Sequence, residues 1–419
     1  MTRSLRFLLP WLTLAALFAT APAVFSSATA LTMMSVMGFM IIFALSFNML
    51  LGQTGLLSFG HAVYFGLGGF VAIHAMNAVI HSKLGVPVAI MPLVGGLAGL
   101  FFGIGLGLIS TRRAGLVFSM ISLGLGELVS SSSFILRTFF GGEEGITTNR
   151  AKLAPLFGHR FGTQIEVYYL IAIWCFVCVA MMYALTRTPF GRVCNAVREN
   201  PERVEYIGYS AQRVRLIAFC FAAFFAGVAG ALAAINFEIM NAQQLGAQQS
   251  GVVLLMSYIG GVGYFAGPIV GAVIITFLQI TLSDITNAWQ LYFGLLFIGF
   301  VLFAPDGVTG WVIRHRQVAR DGELWRLAPA YTLIAPGLAA GFVGAAMLIE
   351  MANRQLALAQ SEGSAMRLFG FAIDAASTRP WLIAFALLAG GAVMTLRFWQ
   401  KVTDAWGAIN AEQRARGRA

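Results

Sequence analysis

Few side chains in this sequence have the type and spacing that covalent chemistry needs. Cys175 and Cys178 form a CxxC, the spacing of redox and zinc pairs, yet they stand beside Trp174, Phe176 and Val177 with no second ligand pair nearby. With Cys194 and Cys220 they lie in or beside apolar runs, not in an external loop where a disulfide forms, so they read as packing residues. The histidines, His61, His74, His81, His159 and His315, never pair as HExxH, and no GxSxG marks a serine nucleophile. None of the lysines, Lys83, Lys152 and Lys401, closes a phosphate-cradling GxxxxGK[ST] loop. No catalytic residue and no metal set remains, so the chain reads as a non-enzyme with no cofactor of its own.

What remains is a small set of polar residues inside apolar runs. Glu127 is ionisable within such a run, where an unpaired charge is costly, which makes it a candidate for function or for a helix–helix hydrogen bond. Asn48, Gln53 and His61 are candidates to line a translocation path, the alternative being hydrogen bonding between helices. Gly95, Gly99, Gly103 and Gly107 recur every four residues, a stripe that points to close helix packing.

The elements that must position these residues belong to a bilayer. The chain has 419 residues, 58% of them hydrophobic and only 11% charged, with a mean hydropathy of +0.80. That is more apolar surface than a soluble fold buries. Runs of about 20 apolar residues without alternation predict helices, because a helix satisfies its own backbone in lipid. The expected fold is all-α, a polytopic inner-membrane helical bundle of about ten to eleven spans plus a broken or re-entrant helix pair. Spans are read at 7–25, 31–51, 56–80, 86–109, 115–136, 167–185, 216–237, 289–303, 328–349 and 381–396. Residues 251–281 would make a helix of about 46 Å, too long for one crossing, and Gly260, Gly261, Gly263 and Pro268 supply the break. The longest external segment runs from about 137 to 166.

Charge orients this layout. Arg112 and Arg113, the arginines from Arg187 to Arg215, those from Arg314 to Arg326 and the basic tail after Arg397 all fall on one side. By the positive-inside bias that side is cytoplasmic, which puts both termini there. The net charge of +10 is then topological and needs no nucleic acid, while membrane lipid is an obligatory neighbour. Residues 1–30 form a first span, although Arg3, Arg6 and Ala28-Thr29-Ala30 also resemble a signal peptide. Residues 31–310 form the core, and 311–419 an extension with two extra spans.

The polar stretch 186–215 is the most informative. Val193 and Val197 are spaced as on one helical face, and Asn200 before Pro201 and Glu202 reads as an N-cap with Pro at the first helical position, followed by apolar Val204 and Ile207. Two short cytoplasmic helices are expected; an amphipathic helix bound to anionic lipid is the alternative.

This stretch resembles the cytoplasmic coupling loop of permeases of the branched-chain amino acid ABC transporter family, through Gly191, Arg192, Ala196, Arg198, Glu199 and Gly208. Residues 44–70, ALSFNMLLGQTGLLSFGHAVYFGLGGF, resemble that family's N-terminal signature, and SLGLGEL and GGVGYFAGPIVGA also match it. The first span and the long loop around Gly142 are closest to the LivM-type branch. The resemblance covers about residues 30 to 310 and implies a permease subunit of an importer of branched-chain or related amino acids. It further implies a second homologous permease, two cytoplasmic ATPases that bind ATP and Mg, and a periplasmic substrate-binding protein. Relatives for urea, amides or aromatic acids are the alternative, with a stand-alone secondary transporter or channel behind them.

Overall fold

A computed structural model of the chain describes residues 3–156, 158–358, 365–368 and 371–415. The helices, in order, are α1 (Arg3–Val24), α2 (Ala28–Thr54), α3 (Ala62–Ser82), α4 (Met91–Ser110), α5 (Leu116–Ile135), the single turn α6 (Arg137–Phe140) and α7 (Gln164–Arg187). They continue with α8 (Pro189–Glu199), α9 (Pro201–Tyr206), α10 (Ala211–Phe237), α11 (Ala247–Gly260), α12 (Gly267–Ile285), α13 (Trp289–Phe303), α14 (Gly307–Arg320), α15 (Leu324–Leu358) and α16 (Thr378–Ala415). Two short antiparallel pairs, β1 (Ile146–Thr147) with β2 (Ile239–Met240) and β3 (Ala365–Leu368) with β4 (Phe371–Asp374), lie in the connections.

Among the described residues nine helices are long and apolar enough to cross a membrane, namely α2, α3, α4, α5, α7, α10, α12, α15 and α16. α13 and α14 together qualify as a further span bent by 45°, and α1 contributes the shorter apolar stretch Trp11–Val24. This is the polytopic helical bundle that the hydropathy predicts. Two boundaries differ. Leu56–His61 is not helical, because Gly55 ends α2 at φ +71° and α3 begins only at Ala62. α15 and α16 run on beyond their apolar stretches, to 35 and 38 residues.

The chain divides into two units, residues 1–280 with 299–310, and residues 281–298 with 311–419. In the first unit α10 is the central helix and packs on α2, α3 and α4. Lipid is as apolar as leucine, so helices associate here by close approach of small residues. A Cβ on Gly68 of α3 would overlap the backbone of Gly227, and a Cβ on Gly95 of α4 would fall 2.7 Å from the Gly227 carbonyl oxygen. The four-residue glycine stripe of α4 thus faces α10, with Gly99 and Gly103 against Ala223 and Gly107 against Phe219.

The segment after α6 is pinned, not loose. The buried Arg150 donates from Nη1 to the carbonyls of Ile235 (2.8 Å) and Asn236 (3.0 Å), and from Nε to Phe161 O (3.0 Å). A cation there answers the negative end of α10 and fills carbonyls that no helical amide reaches. The Arg150 amide in turn donates to Glu238 Oε1 at 2.9 Å, beside the β1–β2 pairing.

In the second unit α15 and α16 form a close hairpin in which Gly337 and Gly344 face Thr395 and Leu388, and Gly391 faces Gly341. At one end His315 lies between Trp311, Tyr331 and Trp406, its Nε2 2.9 Å from the Tyr331 hydroxyl, and Arg326 makes a two-point ion pair with Glu412.

The α4–α10 contact is testable. Gly227→Ala forces two backbones apart at a cost of about 1–3 kcal/mol and lowers the thermal unfolding midpoint in detergent. Gly105→Ala, whose Cβ meets nothing within 4 Å, leaves the midpoint in place; equal losses for both would remove the tight contact.

Candidate functional site

The polar stretch between α7 and α10 folds as two capped helices. Thr188 precedes Pro189 and its Oγ1 accepts from Gly191 N at 3.4 Å, while Asn200 Oδ1 accepts from Arg203 N at 3.0 Å ahead of Pro201. Gly191 is required where it stands, since a Cβ there would fall 2.7 Å from the carbonyl oxygens of Leu185 and Thr186. Gly208, at φ +91°, makes the turn after α9. Cys194, Val197 and Val204 pack on Ala211, Val214 and Ala218 of α10, with Phe190, Val193 and Ala196 around them.

That packing fixes which face is presented. Arg192, Asn195, Glu199 and Glu202 point outward, and at the tip Tyr206 is 89% and Ile207 66% exposed, with Tyr209 also open. Of the two apolar residues after the Asn200 cap, Val204 is buried and Ile207 lies outside, where α9 has ended at Tyr206. Sequence reasoning missed this aromatic tip, although three large apolar residues within a polar stretch were its signal. Arg198 is exposed as these are, but it is also tied inward. Its guanidinium donates to the carbonyl of Gly52, and its Cγ lies 3.1 Å from where a Cβ on Gly55 would stand.

A second cluster lies where α2 turns back. From Gly55 the chain climbs beside the helix that it has just left, so that His61 stacks on Phe43 (5.5 Å between ring centres) and bonds from Nε2 to Ser46 Oγ at 2.9 Å. Ser46 lies eight residues before Thr54, about 12 Å along the helix. α3 therefore starts well inside the bundle, its Ala62 amide donating to Ser250 Oγ at 3.0 Å. Irregular backbone at that depth is tolerated because protein covers it, and Leu56, Ser58 and His61 are buried. Asn48 Oδ1, Ser58 Oγ and His61 Nδ1 are buried with no hydrogen-bond partner among the described residues, which marks a polar strip along the segment. Gln53 is half-buried at its lower end.

Glu127 is placed apart from this strip. It is exposed on α5, in line with Leu116, Met120 and Leu123, and shares no hydrogen bond or ion pair with Asn48, Gln53 or His61. A charge on the open face of a spanning helix costs about 2.5–3.5 kcal/mol against lipid, so that face suits a partner or a wet path. The connection to the polar strip runs through backbone. The Phe59 amide donates to Ser122 Oγ at 3.1 Å, and a Cβ on Gly60 would overlap the Ser122 carbonyl and lie 3.4 Å from Gly126 Cα.

The predicted break falls between α11 and α12. A Cβ on Gly260 would overlap the Gly267 carbonyl and one on Gly271 the Met256 carbonyl, so the two helices return against each other. Gly261, at φ +111°, makes the turn and lies against Asp306 and Gly307. Pro268 opens α12, where it removes no needed donor, whereas Gly263 meets nothing within 4 Å. Cys175 and Cys178 are buried on α7, and among the described residues no group of three or more His, Cys, Asp or Glu is placed to hold a metal.

Known proteins share this arrangement in sequence. Residues 29–304 match the family model described as branched-chain amino acid transport system, permease component. The high-affinity branched-chain amino acid transport system permease protein LivM of Escherichia coli (strain K12) is 26% identical over 308 residues, 68% of this chain and 71% of that protein. The probable branched-chain amino acid transport permease protein LivH of Methanocaldococcus jannaschii is 24% identical over 291 residues, 65% of this chain and 88% of its own. The fructose import permease protein FrcC of Rhizobium meliloti is 24% identical over 262 residues, 59% and 70% of the two chains. No solved structure matches.

The packing beneath α8 can be probed through Cys194, whose burial pushes its thiol up to about 12. The reactive thiolate is present only as pH approaches that value, so at pH 7.5 a chain retaining Cys194 alone should react with maleimide about a thousandfold more slowly than an exposed cysteine. Val204→Asp, which opens the cluster, restores labelling; rapid labelling of the intact chain would contradict the packing.

Proposed function

The chain belongs to the permease component family of branched-chain amino acid transport systems, and from that premise we propose that it is the membrane-spanning half of an ATP-driven importer for branched-chain or closely related amino acids. The observation that carries the reading is the coincidence of two things. LivM proteins of two species align with about two thirds of the chain, and the same region presents a rigid, outward-facing α8–α9 surface tipped by Tyr206 and Ile207. Large side chains exposed together at the tip of a polar surface suit the anchors of a protein interface.

In this reading the α8–α9 surface, carried by Arg192, Glu199 and the aromatic tip, docks in a cleft of a cytoplasmic ATPase, one of two that bind ATP and Mg. A second, homologous permease faces α5, and substrate passes between the two, delivered by a periplasmic binding protein. The open face of α5 with Glu127 supports that placement, since a second subunit or a wet path removes the cost of the exposed carboxylate. Alternating access follows when nucleotide binding shifts the pair between two states of different affinity for the loaded binding protein. The excess of arginine on the α8–α9 side supports an inner-membrane orientation with both termini cytoplasmic.

Affinity purification of the tagged chain from native membranes in mild detergent tests this reading. Recovery of a second permease and an ATPase supports it; a chain that purifies alone returns weight to a stand-alone transporter. With partners recovered, Arg192→Glu combined with Tyr206→Ala should weaken ATPase retention by about 2 kcal/mol, roughly thirtyfold, as loss of interface anchors does. Undiminished retention would move the docking surface elsewhere.

A further inference from the structure

The C-terminal turn of α2 is a joint between three parts of the first unit. A helix leaves its last four carbonyls without intrahelical donors. Here the Gly55 amide takes Leu51 O at 3.2 Å, and the Leu56 amide, which would have reached Gly52, goes instead to Leu50 O at 3.1 Å. Gly52 O is left over, and the Arg198 guanidinium supplies its donor from α8. The contact joins a cation to the negative end of a helix, the favourable sense, and a hydrogen bond from a charged donor is among the stronger kinds.

Two absences of a side chain make room for it. Gly55, at φ +71°, lets the Arg198 stem lie directly on the turn, and Gly52 has no Cβ where the Val262 carbonyl of the α11–α12 break approaches to 2.9 Å from that position. The same turn begins the buried climb to His61, whose last residues Phe59 and Gly60 rest on Ser122 and Gly126 of α5, beside Glu127. One side chain of the α8–α9 surface is thus fastened to the root of a segment that ends on the helix carrying the exposed carboxylate.

We propose that Arg198 is a positioning residue that fastens the α8–α9 surface to the end of α2, transmitting movement of that surface to the Gly55–His61 segment and α5, and that it is not a contact with the ATPase. The inference rests on the docking reading given above. It divides the arginines of α8 by role: both are exposed, but Arg198 is bonded to its own chain through the Gly52 carbonyl. Lysine in place of Arg198 keeps one donor and the charge, so it should keep part of the effect, whereas alanine loses both.

The test uses the intact complex, purified with its ATPase from native membranes, in a background where Phe59→Cys is the reporter and thiol labelling the readout. The unaltered complex should show at least a threefold difference in labelling rate between nucleotide-free and vanadate-trapped states. Arg198→Ala should retain the ATPase yet reduce that difference to less than 1.5-fold, and Arg198→Lys should restore about half of it. Three outcomes overturn the proposal: loss of the ATPase with Arg198→Ala but not with Arg198→Lys, an unchanged nucleotide response in Arg198→Ala, or no response at position 59 in the unaltered complex. An unaltered chain that carries no ATPase at all removes the docking reading, and this proposal falls with it. Size-exclusion profiles of each variant separate these outcomes from misfolding.

Discussion

Hydrocarbon offers the backbone no hydrogen-bond partner, so every residue of this chain that leaves a helix inside the bundle must find its partner in protein. The first unit leaves helical geometry at depth at Leu56–His61, and again between Gly260 and Gly267, where the turn lies beside the end of α2. Both departures are sealed by glycine. Gly60 brings the first against the Ser122 carbonyl, and Gly260, Gly267 and Gly271 bring the arms of the second into backbone contact. Larger residues at these places would hold the strands of backbone apart and leave polar groups facing lipid. The junction of Gly68, Gly95 and Gly227 around α10 obeys the same constraint, with backbones approaching where side chains are absent.

At the ends of the helices the constraint changes form, and arginine takes over from glycine. At one end of the bundle Arg150 fills the carbonyls of Ile235 and Asn236 at the end of α10, and on the α8 side Arg198 fills Gly52 at the end of α2. Guanidinium suits both positions because it presents several donors on a stem long enough to cross from another element, and it stays charged in every accessible state. α2 and α10 pack on each other, so each of these neighbouring helices has its terminal carbonyls held by a connection distant in sequence. Each connection is thereby tied to the end of a spanning helix, and the α8–α9 surface can present a fixed face to whatever binds it.

The bundle and its breaks were legible because they follow from local signals. Apolar runs long enough to span, Gly260 with Gly261, and Asn200 ahead of Pro201 each act within a few residues, and helices appear where those signals place them. The α4 stripe was legible as packing for the same reason, since small residues every four positions line one face. Leu56–His61 was hidden because a buried extended segment is as apolar as a span, and hydropathy does not separate the two. Arg198 and Arg150 were opaque for another reason. Their acceptors lie 146 and 85 residues away in sequence, and an arginine on a polar loop looks the same whether it faces solvent or its own chain. Ile207 was opaque too, since an apolar side chain just past the end of a short helix can be buried or exposed with the same sequence.

The separation of Glu127 from the strip of Asn48, Ser58 and His61 bears on how a permease with no reactive group would select anything. A deep polar strip with unpartnered acceptors and donors stabilises water or the irregular backbone as readily as a solute. Its burial within one chain leaves no open approach. The exposed face of α5, by contrast, offers a carboxylate among Leu116, Met120 and Leu123, a surface that an aliphatic side chain contacts without desolvation cost and that orients an amino group. In the proposed assembly a second permease covers this face, and the pairing of the two faces would set recognition. The glycine contact of Phe59–Gly60 with α5 then matters more than the depth of the strip. It ties that face to the segment rooted at Gly52, the link on which the proposed coupling rests.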